Sequence, residues 1–414
     1  MSEQTTSGQP AACPTGAVRV TMYDVGFGDC FLLSVPYADG TERHVLIDCG
    51  SSSKRADHMA RVARAVAQDC GGRLAAVVST HRHSDHLSAF GLKQAGDILA
   101  GLDPEVVIQP WTEHPDAAED AHQAPSTFTL AHLHSLDLGQ AFAATLGRQT
   151  RATLPGASAR TVKHVTDLAK LNIHNKKAVA RLQEMGRRHA WVHAGGPSGL
   201  EEALPGVTVT VLGPPTLEQC AAMRTQARWD EAEFWELQGQ PATPARAPAL
   251  FPDAATISRD EAPSYVRWVV GKLDALHAAD ALRIVTALNR ALNNTSVMLL
   301  FEVDEKALLF PGDAQLESWQ HVLSQDELRD RLARVRLYKV GHHGSTSATP
   351  RSLWALFDRR GDETRPDRLI TLLSTQTGEH HRVPRPSLVA ALQAGSELHD
   401  TQRWCDELGR SWTL

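Results

Sequence analysis

The chain of 414 residues lacks the features that mark several common protein classes. Its six cysteines form no C-x-x-C pair, which argues against a disulfide framework and against a thiolate zinc site. No segment approaches the roughly 18 consecutive apolar residues of a membrane-spanning helix. The formal net charge of −6 argues against a protein that is basic overall, although a local basic patch is compatible with it. The scattered cysteines fit a reducing compartment, so the expected location is cytoplasmic.

The chain is predicted to be a flexible tail followed by one large domain. Residues 1–16 are polar and lack a basic start followed by an apolar stretch, which predicts a loose tail rather than a signal peptide. Residues 17–414 are predicted to form the domain, with insertions at about 115–200 and 216–290. The first insertion shows no strand pattern and is predicted to be helical or irregular. The second contains an alanine- and proline-rich stretch near 240–256 that is typical of a loop or linker.

Short apolar strands recur outside these insertions, and several of them end at histidine or aspartate. Strands are predicted within 18–36 (two strands and a turn), then at 44–47, 74–79, 106–109, 207–212, 296–303, 307–310, 335–340 and 369–373. Helices are predicted at 54–70, 87–101 and 386–394. Side chains on loops at one edge of a rigid sheet are a common way to build an active site.

One such strand end carries a dense group of metal-ligand side chains. The apolar run 74–79 leads directly into His81, His83, Asp85 and His86, four ligand-type residues within six positions. Imidazole suits zinc, iron, copper and manganese, and a carboxylate adds a hard oxygen ligand. The alternative is a polar surface loop that happens to be rich in histidine, which the buried strand before it disfavours.

The H-x-H-x-D-H pattern after an apolar strand resembles the signature of the metallo-β-lactamase superfamily. Other motifs resemble, in order, the hydrolase domain of ComEC-type competence proteins. They are the DVGFGD opening at 24–29 (Phe27 standing where glutamine is usual), DCG at 48–50, NNTS at 293–296, PGD at 311–313 and KVGHHGS at 339–345. The resemblance spans about residues 17–410, interrupted by the two insertions. It implies an α/β fold, the αββα sandwich of two mixed β-sheets flanked by helices.

The resemblance also implies roles for individual residues. His81 and His83 are expected to hold a first metal, and Asp85, His86 and His342 a second. Asp313 is expected to bridge the two ions. Structural roles in the motifs are expected for Asp24, Asp29, Asp48, Asn293 and Asn294. Catalytic roles, including contact with a phosphate or stabilisation of developing charge, are expected for Asp85, Lys339, His343 and Ser345.

Two points stay open at the level of sequence. The superfamily often supplies a third histidine to the first metal, and that position is taken here by Asn293 or Asn294. Two divalent ions, zinc or manganese, are therefore expected, with one site weakly occupied. Of the adjacent histidines, His342 is favoured as the ligand because it lies nearer the strand end, and His343 as a residue that contacts substrate or supports a ligand.

The function implied by the resemblance is hydrolysis of phosphodiesters by a metal-bound hydroxide, as in a nuclease. A basic segment supports nucleic acid as substrate or partner. Its candidate contacts are Arg148, Arg151, Lys163, Lys176, Lys177 and Arg181. The alternatives are a solvated helical face for this segment, and a metallohydrolase of a small molecule (lactone, thioester or nucleotide), which the acidic net charge favours. A third possibility is an effector in a multi-protein system, such as anti-phage defence, whose insertions dock a protein partner.

Overall fold

The computed structural model describes residues 14–114, 166, 175–220, 289–378, 383–404 and 407–414. In these residues two mixed β-sheets pack face to face, with helices on both outer faces. This is the αββα sandwich expected from the sequence.

The first sheet has seven strands in the order β13-β1-β2-β3-β4-β5-β6. Its strands are β1 (Arg19–Tyr23), β2 (Cys30–Pro36), β3 (Glu42–Cys49), β4 (Ala76–Val78), β5 (Val106–Pro110), β6 (Arg188–Val192) and β13 (Gly409–Thr413). Strands β3 to β6 run parallel to one another, whereas the neighbouring pairs β13–β1, β1–β2 and β2–β3 are antiparallel.

The second sheet has six strands in the order β12-β11-β10-β9-β8-β7. Its strands are β7 (Thr208–Gly213), β8 (Met298–Val303), β9 (Lys306–Phe310), β10 (Val335–Lys339), β11 (Ile370–Leu373) and β12 (Glu397–Asp400). Strands β9 to β12 are parallel, and β7 and β8 complete the sheet in antiparallel pairs.

Helices cover the outer face of each sheet. The first sheet is covered by α1 (Ala56–Asp69), α2 (Ser84–Gly91), α3 (Lys93–Ala100) and α4 (Lys176–Glu184). The second is covered by α5 (Leu316–Leu323), α6 (Asp326–Ala333), α7 (Arg351–Leu356) and α8 (Pro386–Gly395). Short 3-10 turns lie at Trp111–Glu113, Gly341–Gly344 and Thr401–Arg403. No helix in the described part of the chain is long and apolar enough to cross a bilayer.

Alternating apolar residues explain why the sheets stack. In β10, Leu337 packs into the core between the sheets, whereas Tyr338 packs against the helices outside. Successive side chains on a strand point to opposite faces, so a strand covered on both sides is apolar throughout. Because strands β3 to β6 and β9 to β12 are parallel, the carboxyl ends of each set lie at one edge of its sheet, and the loops that follow them are brought close to one another.

Strands at the edges of the first sheet were not predicted from the sequence. Strand β6 lies inside the segment predicted to have no strand, and β13 was not predicted either. Every residue of β13 is at least partly exposed, so it shows no apolar alternation. Helix α4 and strand β6 also belong to the core domain rather than to an insertion. Residues 115–165, 167–174 and 221–288 of the predicted insertions lie outside the described residues.

Candidate metal centre

The loop after β4 carries the histidine cluster, and the end of β3 supports it. The Asp48 carboxylate accepts hydrogen bonds from the Thr80 backbone N–H and hydroxyl, at 2.8 and 2.7 Å. It also accepts from Nδ1 of His86 at 2.7 Å. Asp48 thus steadies the loop after β4 and leaves Nε2 of His86 available. Asp85 and His86 belong to the first turn of α2 rather than to a free loop.

Close backbone approach fixes the first loop against this turn. The Asp29 backbone N–H donates to the Asp85 carbonyl at 3.0 Å, and the Gly50 N–H donates to the Asp29 carbonyl at 3.0 Å. A Cβ atom at Gly28 would lie 2.5 Å from the Asp85 carbonyl oxygen, and one at Gly50 would lie 2.4 Å from the His86 carbonyl carbon. Glycine is therefore required at both positions.

The second sheet contributes Asp313, after β9, and the His342–His343 turn, after β10. Oxygen Oδ2 of Asp313 lies 3.2 Å from Nε2 of His86 and 3.7 Å from Nε2 of His343. Nε2 of His343 also lies 3.3 Å from Oδ2 of Asp85. Asp85, His86, Asp313 and His343 are each at least 97% buried. Asp29, His86, Asp313 and His343 each offer a ligand atom, and these atoms all lie within 4.8 Å of one another, with Asp85 against His343.

His81 and His83 form a second pair of converging nitrogens beside this group. Nε2 of His81 lies 2.9 Å from Nδ1 of His83 and 4.0 Å from Oδ2 of Asp313. Nδ1 of His81 is 3.1 Å from the Thr80 hydroxyl, whose own hydrogen goes to Asp48. That hydroxyl therefore accepts from His81, and Nε2 of His81 keeps its lone pair. Asp313 lies between the two groups, which suits a bridging carboxylate.

The structure brings His343, not His342, into the group with Asp85 and His86. Both histidines have left-handed backbone angles, with φ of 43° and 51°, so the strand's alternation no longer decides where they point. Nδ1 of His343 donates to the Ser374 carbonyl at 2.9 Å, which leaves Nε2 for a metal. The ring of Phe27 packs on His343, with centroids 4.4 Å apart. The expected ligand role thus moves from His342 to His343.

Nδ1 of His342 is engaged by other side chains. Ser345 Oγ and Gln315 Nε2 each lie 2.9 Å from it. Its Nε2 is 3.7 Å from Oδ2 of Asp313, so His342 stands beside the centre. Ser345 therefore contacts His342.

Lys339 and Asp29 form a buried ion pair behind the metal ligands. The Lys339 ammonium contacts the Asp29 carboxylate, donates to the Gly312 carbonyl at 3.1 Å and lies 3.6 Å from Asp313. Lys339 is 2% exposed, so its ammonium contacts carboxylates and a carbonyl rather than solvent. Asp29 lies 3.6 Å from Nδ1 of both His86 and His343, on the side of each ring away from Nε2. Asp29 is therefore both the partner of Lys339 and one of the four residues whose ligand atoms converge.

The two asparagines separate into different roles. Asn294 donates to Glu317 at 3.0 Å and accepts from the Gln315 backbone N–H at 3.1 Å, so it ties the strand start to α5. Asn293 is fully buried, and its Oδ1 has no hydrogen-bond partner among the described residues. Its amide nitrogen lies 3.4 Å from Nε2 of His342. Asn293 is therefore the one that faces the centre.

Burial and neighbouring charge perturb the centre in opposite directions. Burial lowers the pKa of His81 well below its ordinary value, and it lowers the pKa of His342 to about 4. Burial also acts to lower the pKa of His86, but the carboxylates of Asp313 and Asp48 outweigh it and raise that pKa. Against the cost of burial, His86 holds the pKa of Asp313 well below the usual range. The centre favours ionised carboxylates beside a cation.

Several buried polar atoms of this centre have no hydrogen-bond partner within the described ranges. They include Oδ1 of Asp85, Nε2 of His86, both carboxylate oxygens of Asp29 and of Asp313, Oδ1 of Asn293 and Nε2 of His343. Buried polar atoms are rarely left unsatisfied, and buried carboxylates need a cation. Zinc and manganese are bound by this set of nitrogen and oxygen donors. The residues present therefore fit divalent metal ions.

Residues that the sequence singled out elsewhere have other contacts. Asp24 accepts from the Gly26 N–H at 2.8 Å and lies 3.7 Å from Lys54, so it shapes the first turn. Arg181 pairs with Asp97 at 2.6 Å, whereas Lys176 and Lys177 are exposed. Arg148, Arg151 and Lys163 lie outside the described residues.

Two further contributors were not predicted from the sequence. Glu113 forms a bidentate pair with Arg82, both bonds 2.7 Å, and Arg82 lies between His81 and His83 in the sequence. Gln315 orients His342. An acid three residues after the proline that follows the predicted strand 106–109 was a weak signal for Glu113, whereas nothing in the sequence marks Gln315.

Comparison with known proteins agrees with this geometry. Residues 23–214 match the sequence profile described as the Metallo-beta-lactamase superfamily, and this segment contains β3, β4 and the His81–His86 cluster. No curated protein matches the chain.

Proposed function

We propose that this domain, whose residues 23–214 match the metallo-beta-lactamase superfamily, cleaves phosphodiester bonds in nucleic acid strands. The observation that carries the proposal is the position of helix α4. Asn175, immediately before α4, donates to the Arg82 carbonyl at 2.9 Å, within the ligand loop. Lys176 and Lys177 follow at once and are exposed. Two exposed cations thus follow directly on a residue that contacts the ligand loop, and we propose that they contact phosphates of the bound strand.

The metal centre would hold two divalent ions of unequal affinity. Asp85, His86 and His343 would hold one ion, and His81 and His83 the other, with Asp313 shared between them. Where a third imidazole is usual, the first site has the Asn293 amide. Its unpaired Oδ1 supplies a weaker and harder ligand, which favours manganese over zinc at that site or leaves it partly filled.

Bound ions would supply Lewis acidity toward a phosphoryl oxygen and an activated water at neutral pH. The chain's own residues set the geometry for that chemistry. Asp48 fixes the ring of His86, the Ser374 carbonyl fixes the ring of His343, and the Lys339–Asp29 pair balances charge behind both rings. Such supporting contacts orient the ligands and keep their Nε2 atoms deprotonated.

The deciding experiment is a cleavage assay. Labelled single-stranded DNA, duplex DNA and RNA are each incubated with the protein and manganese, zinc or magnesium, beside Asp85→Ala as control. We expect metal-dependent cutting that the variant loses. Absence of cutting by protein with confirmed metal would contradict the nuclease proposal, and hydrolysis of a lactone, thioester or nucleotide by the same preparation would replace it. The net charge of −6 is the observation that favours this small-molecule alternative.

The role proposed for Lys176 and Lys177 is tested by the salt dependence of nucleic-acid binding. Each cation that neutralises a phosphate contributes about 0.7 to 0.9 to the slope of log affinity against log salt. The Lys176→Ala/Lys177→Ala variant should therefore lower the slope by up to about 1.4 to 1.8. Arg61→Ala/Arg64→Ala is the matched control, because both arginines are exposed on α1 and the change in net charge is identical. Equal slopes in the two variants would remove the nucleic-acid assignment.

A partner protein that docks on the insertions, as in a defence system, is compatible with the same chemistry. We propose it as the alternative if the isolated protein binds metal and nucleic acid without cutting. Addition of proteins encoded by neighbouring genes would then be expected to switch on cleavage. The cytoplasm is the proposed compartment, in keeping with the free thiols of Cys30, Cys49, Cys70 and Cys220.

A further inference from the structure

His342 differs from the other imidazoles of the centre in its access to solvent. Its side chain is 20% exposed, whereas those of His81, His86 and His343 are fully buried. It stands at the open side of the metal group, with Nε2 3.7 Å from Oδ2 of Asp313. A substrate that approaches the metals would therefore meet His342 before any of these three rings.

The orientation of Gln315 determines which nitrogen of His342 carries the proton. Gln315 Nε2 donates to the Asp313 carbonyl at 2.7 Å, and the Ser347 hydroxyl donates to Gln315 Oε1. A carbonyl only accepts hydrogen bonds, so these partners fix which end of the amide is nitrogen. The same Nε2 lies 2.9 Å from Nδ1 of His342. Because an amide NH2 only donates, Nδ1 accepts; the Ser345 hydroxyl, also 2.9 Å from Nδ1, can then only donate to it, and the proton of the neutral ring is on Nε2.

This tautomer is the opposite of the one that a metal ligand needs. Nδ1 of His343 donates to a carbonyl and that of His86 to a carboxylate, which leaves each Nε2 with a lone pair. His342 instead directs an N–H from the rim of the centre. The Asn293 amide nitrogen is 3.5 and 3.4 Å from the two ring nitrogens of His342. Because the Asn293 nitrogen is nearly equidistant from both ring nitrogens, it lies outside the direction in which either of them forms a hydrogen bond. The Nε2–H of His342 therefore stays directed toward the centre.

We propose that His342 is a catalytic residue that donates a hydrogen bond from Nε2 to a phosphoryl oxygen of the bound substrate, and that Gln315 is the positioning residue that fixes its tautomer. The role rests on the proposed phosphodiester chemistry. A fixed donor directed at an oxygen that gains negative charge stabilises the transition state without reorganisation, and loss of one such donor costs about 10²-fold or more in kcat.

The tautomer is measured directly by long-range proton–nitrogen NMR of the metal-loaded protein labelled with 15N-histidine. His342→Gln identifies the resonance. We expect a proton on Nε2 of His342, and we expect inorganic phosphate to shift that Nε2–H signal. A proton on Nδ1 in the metal-loaded protein would make His342 a metal ligand and would overturn the proposal. An unshifted signal at saturating phosphate would overturn it as well.

Gln315→Glu tests the positioning role at constant shape. A carboxylate beside Nδ1 accepts where the amide donated, so Nδ1 should become protonated. We expect kcat for bis(p-nitrophenyl) phosphate to fall by about 10²-fold, with KM and bound metal little changed. Gln325→Glu is the matched control, because Gln325 also contacts a histidine, His321, but is exposed on the connection between α5 and α6. Unchanged kcat despite an inverted tautomer would refute the role.

Failure of the proposed function has a different signature. If the wild-type protein does not hydrolyse the phosphodiester probe, the phosphodiester chemistry is wrong. The tautomer and the response to phosphate then decide the role of His342 without any activity measurement.

Discussion

Replacement of Asp48 by asparagine should weaken metal binding through the tautomer of His86. The Asp48 carboxylate accepts three hydrogen bonds, two from Thr80 and one from Nδ1 of His86, each between 2.7 and 2.8 Å. Asparagine has one acceptor oxygen. If that oxygen keeps the Thr80 backbone N–H, the amide nitrogen faces His86. A donor in that place forces Nδ1 to accept and moves the proton to Nε2, the nitrogen that a metal requires.

The magnitude follows from the hydrogen bonds that this substitution removes. Changes to residues that orient metal ligands commonly reduce metal affinity by about 10- to 100-fold, which is about 1.4 to 2.7 kcal/mol. Loss of a hydrogen bond to a charged group costs folding stability of about 1.5 to 3 kcal/mol. Asp48→Asn should therefore fold, with a lower unfolding temperature, and bind metal at least tenfold less tightly.

Competition with a chromophoric chelator measures this affinity for manganese and zinc. Asp24→Asn is the control, because Asp24 shapes a turn outside the metal group. Affinity of Asp48→Asn within about threefold of wild type, with Asp24→Asn equal to both, would refute the idea that Asp48 sets the tautomer.

Three further predictions concern the centre. Asp85→Ala and Asp313→Ala should each lose bound metal and activity yet keep the fold; unchanged metal content by elemental analysis in both would contradict their assignment as ligands. Asn293→His should restore a third imidazole and raise zinc retained after dialysis toward two ions per chain, whereas Asn294→Ala should lower the unfolding temperature without raising that ratio. Burial lowers the pKa of His342 to about 4, from about 6.5 when unfolded, so the apo protein should lose stability as pH falls through that window. Between pH 8 and 5, denaturant titrations should show a loss of unfolding free energy about 2 kcal/mol larger for wild type than for His342→Gln. Parallel curves for the two proteins would contradict this prediction.

The sequence was most informative where ligands are contiguous and follow a buried strand. His81 to His86 could be assigned together because β4 delivers them to one loop, and Asp48 because it ends the neighbouring parallel strand. The same logic did not extend to His342 and His343. Their left-handed backbone turns two adjacent side chains to different neighbours, and a pattern of residue types contains no information on that turn.

Lys339 shows how strand periodicity can correct a role inferred from a motif. Leu337 faces the core between the sheets, and a residue two positions further along a strand points to the same face. Lys339 therefore points inward, toward Asp29 on the first sheet, and not outward to a substrate. Strand periodicity alone would have predicted a buried cation with an acidic partner.

Gln315 illustrates what residue chemistry alone could not reveal. A glutamine neither titrates nor ranks among the usual metal ligands, so its position after Asp313 carries no functional signal in the sequence. Its importance comes from a partner 27 positions away, Nδ1 of His342. That contact exists only because the loop after β9 and the turn after β10 lie side by side in the parallel sheet.

The partner at Nδ1 divides the histidines of this centre into two kinds. An acceptor there, the Asp48 carboxylate for His86 or the Ser374 carbonyl for His343, leaves Nε2 as a ligand. A donor there, the Gln315 amide for His342, makes Nε2 a hydrogen-bond donor. Under the proposal, chemically identical side chains on one set of loops would thus supply both metal binding and substrate recognition. Asp48→Asn, which puts a donor beside Nδ1 of His86, should lower metal affinity while substrate is still recognised. Gln315→Glu, which puts an acceptor beside Nδ1 of His342, should lower turnover while metal stays bound.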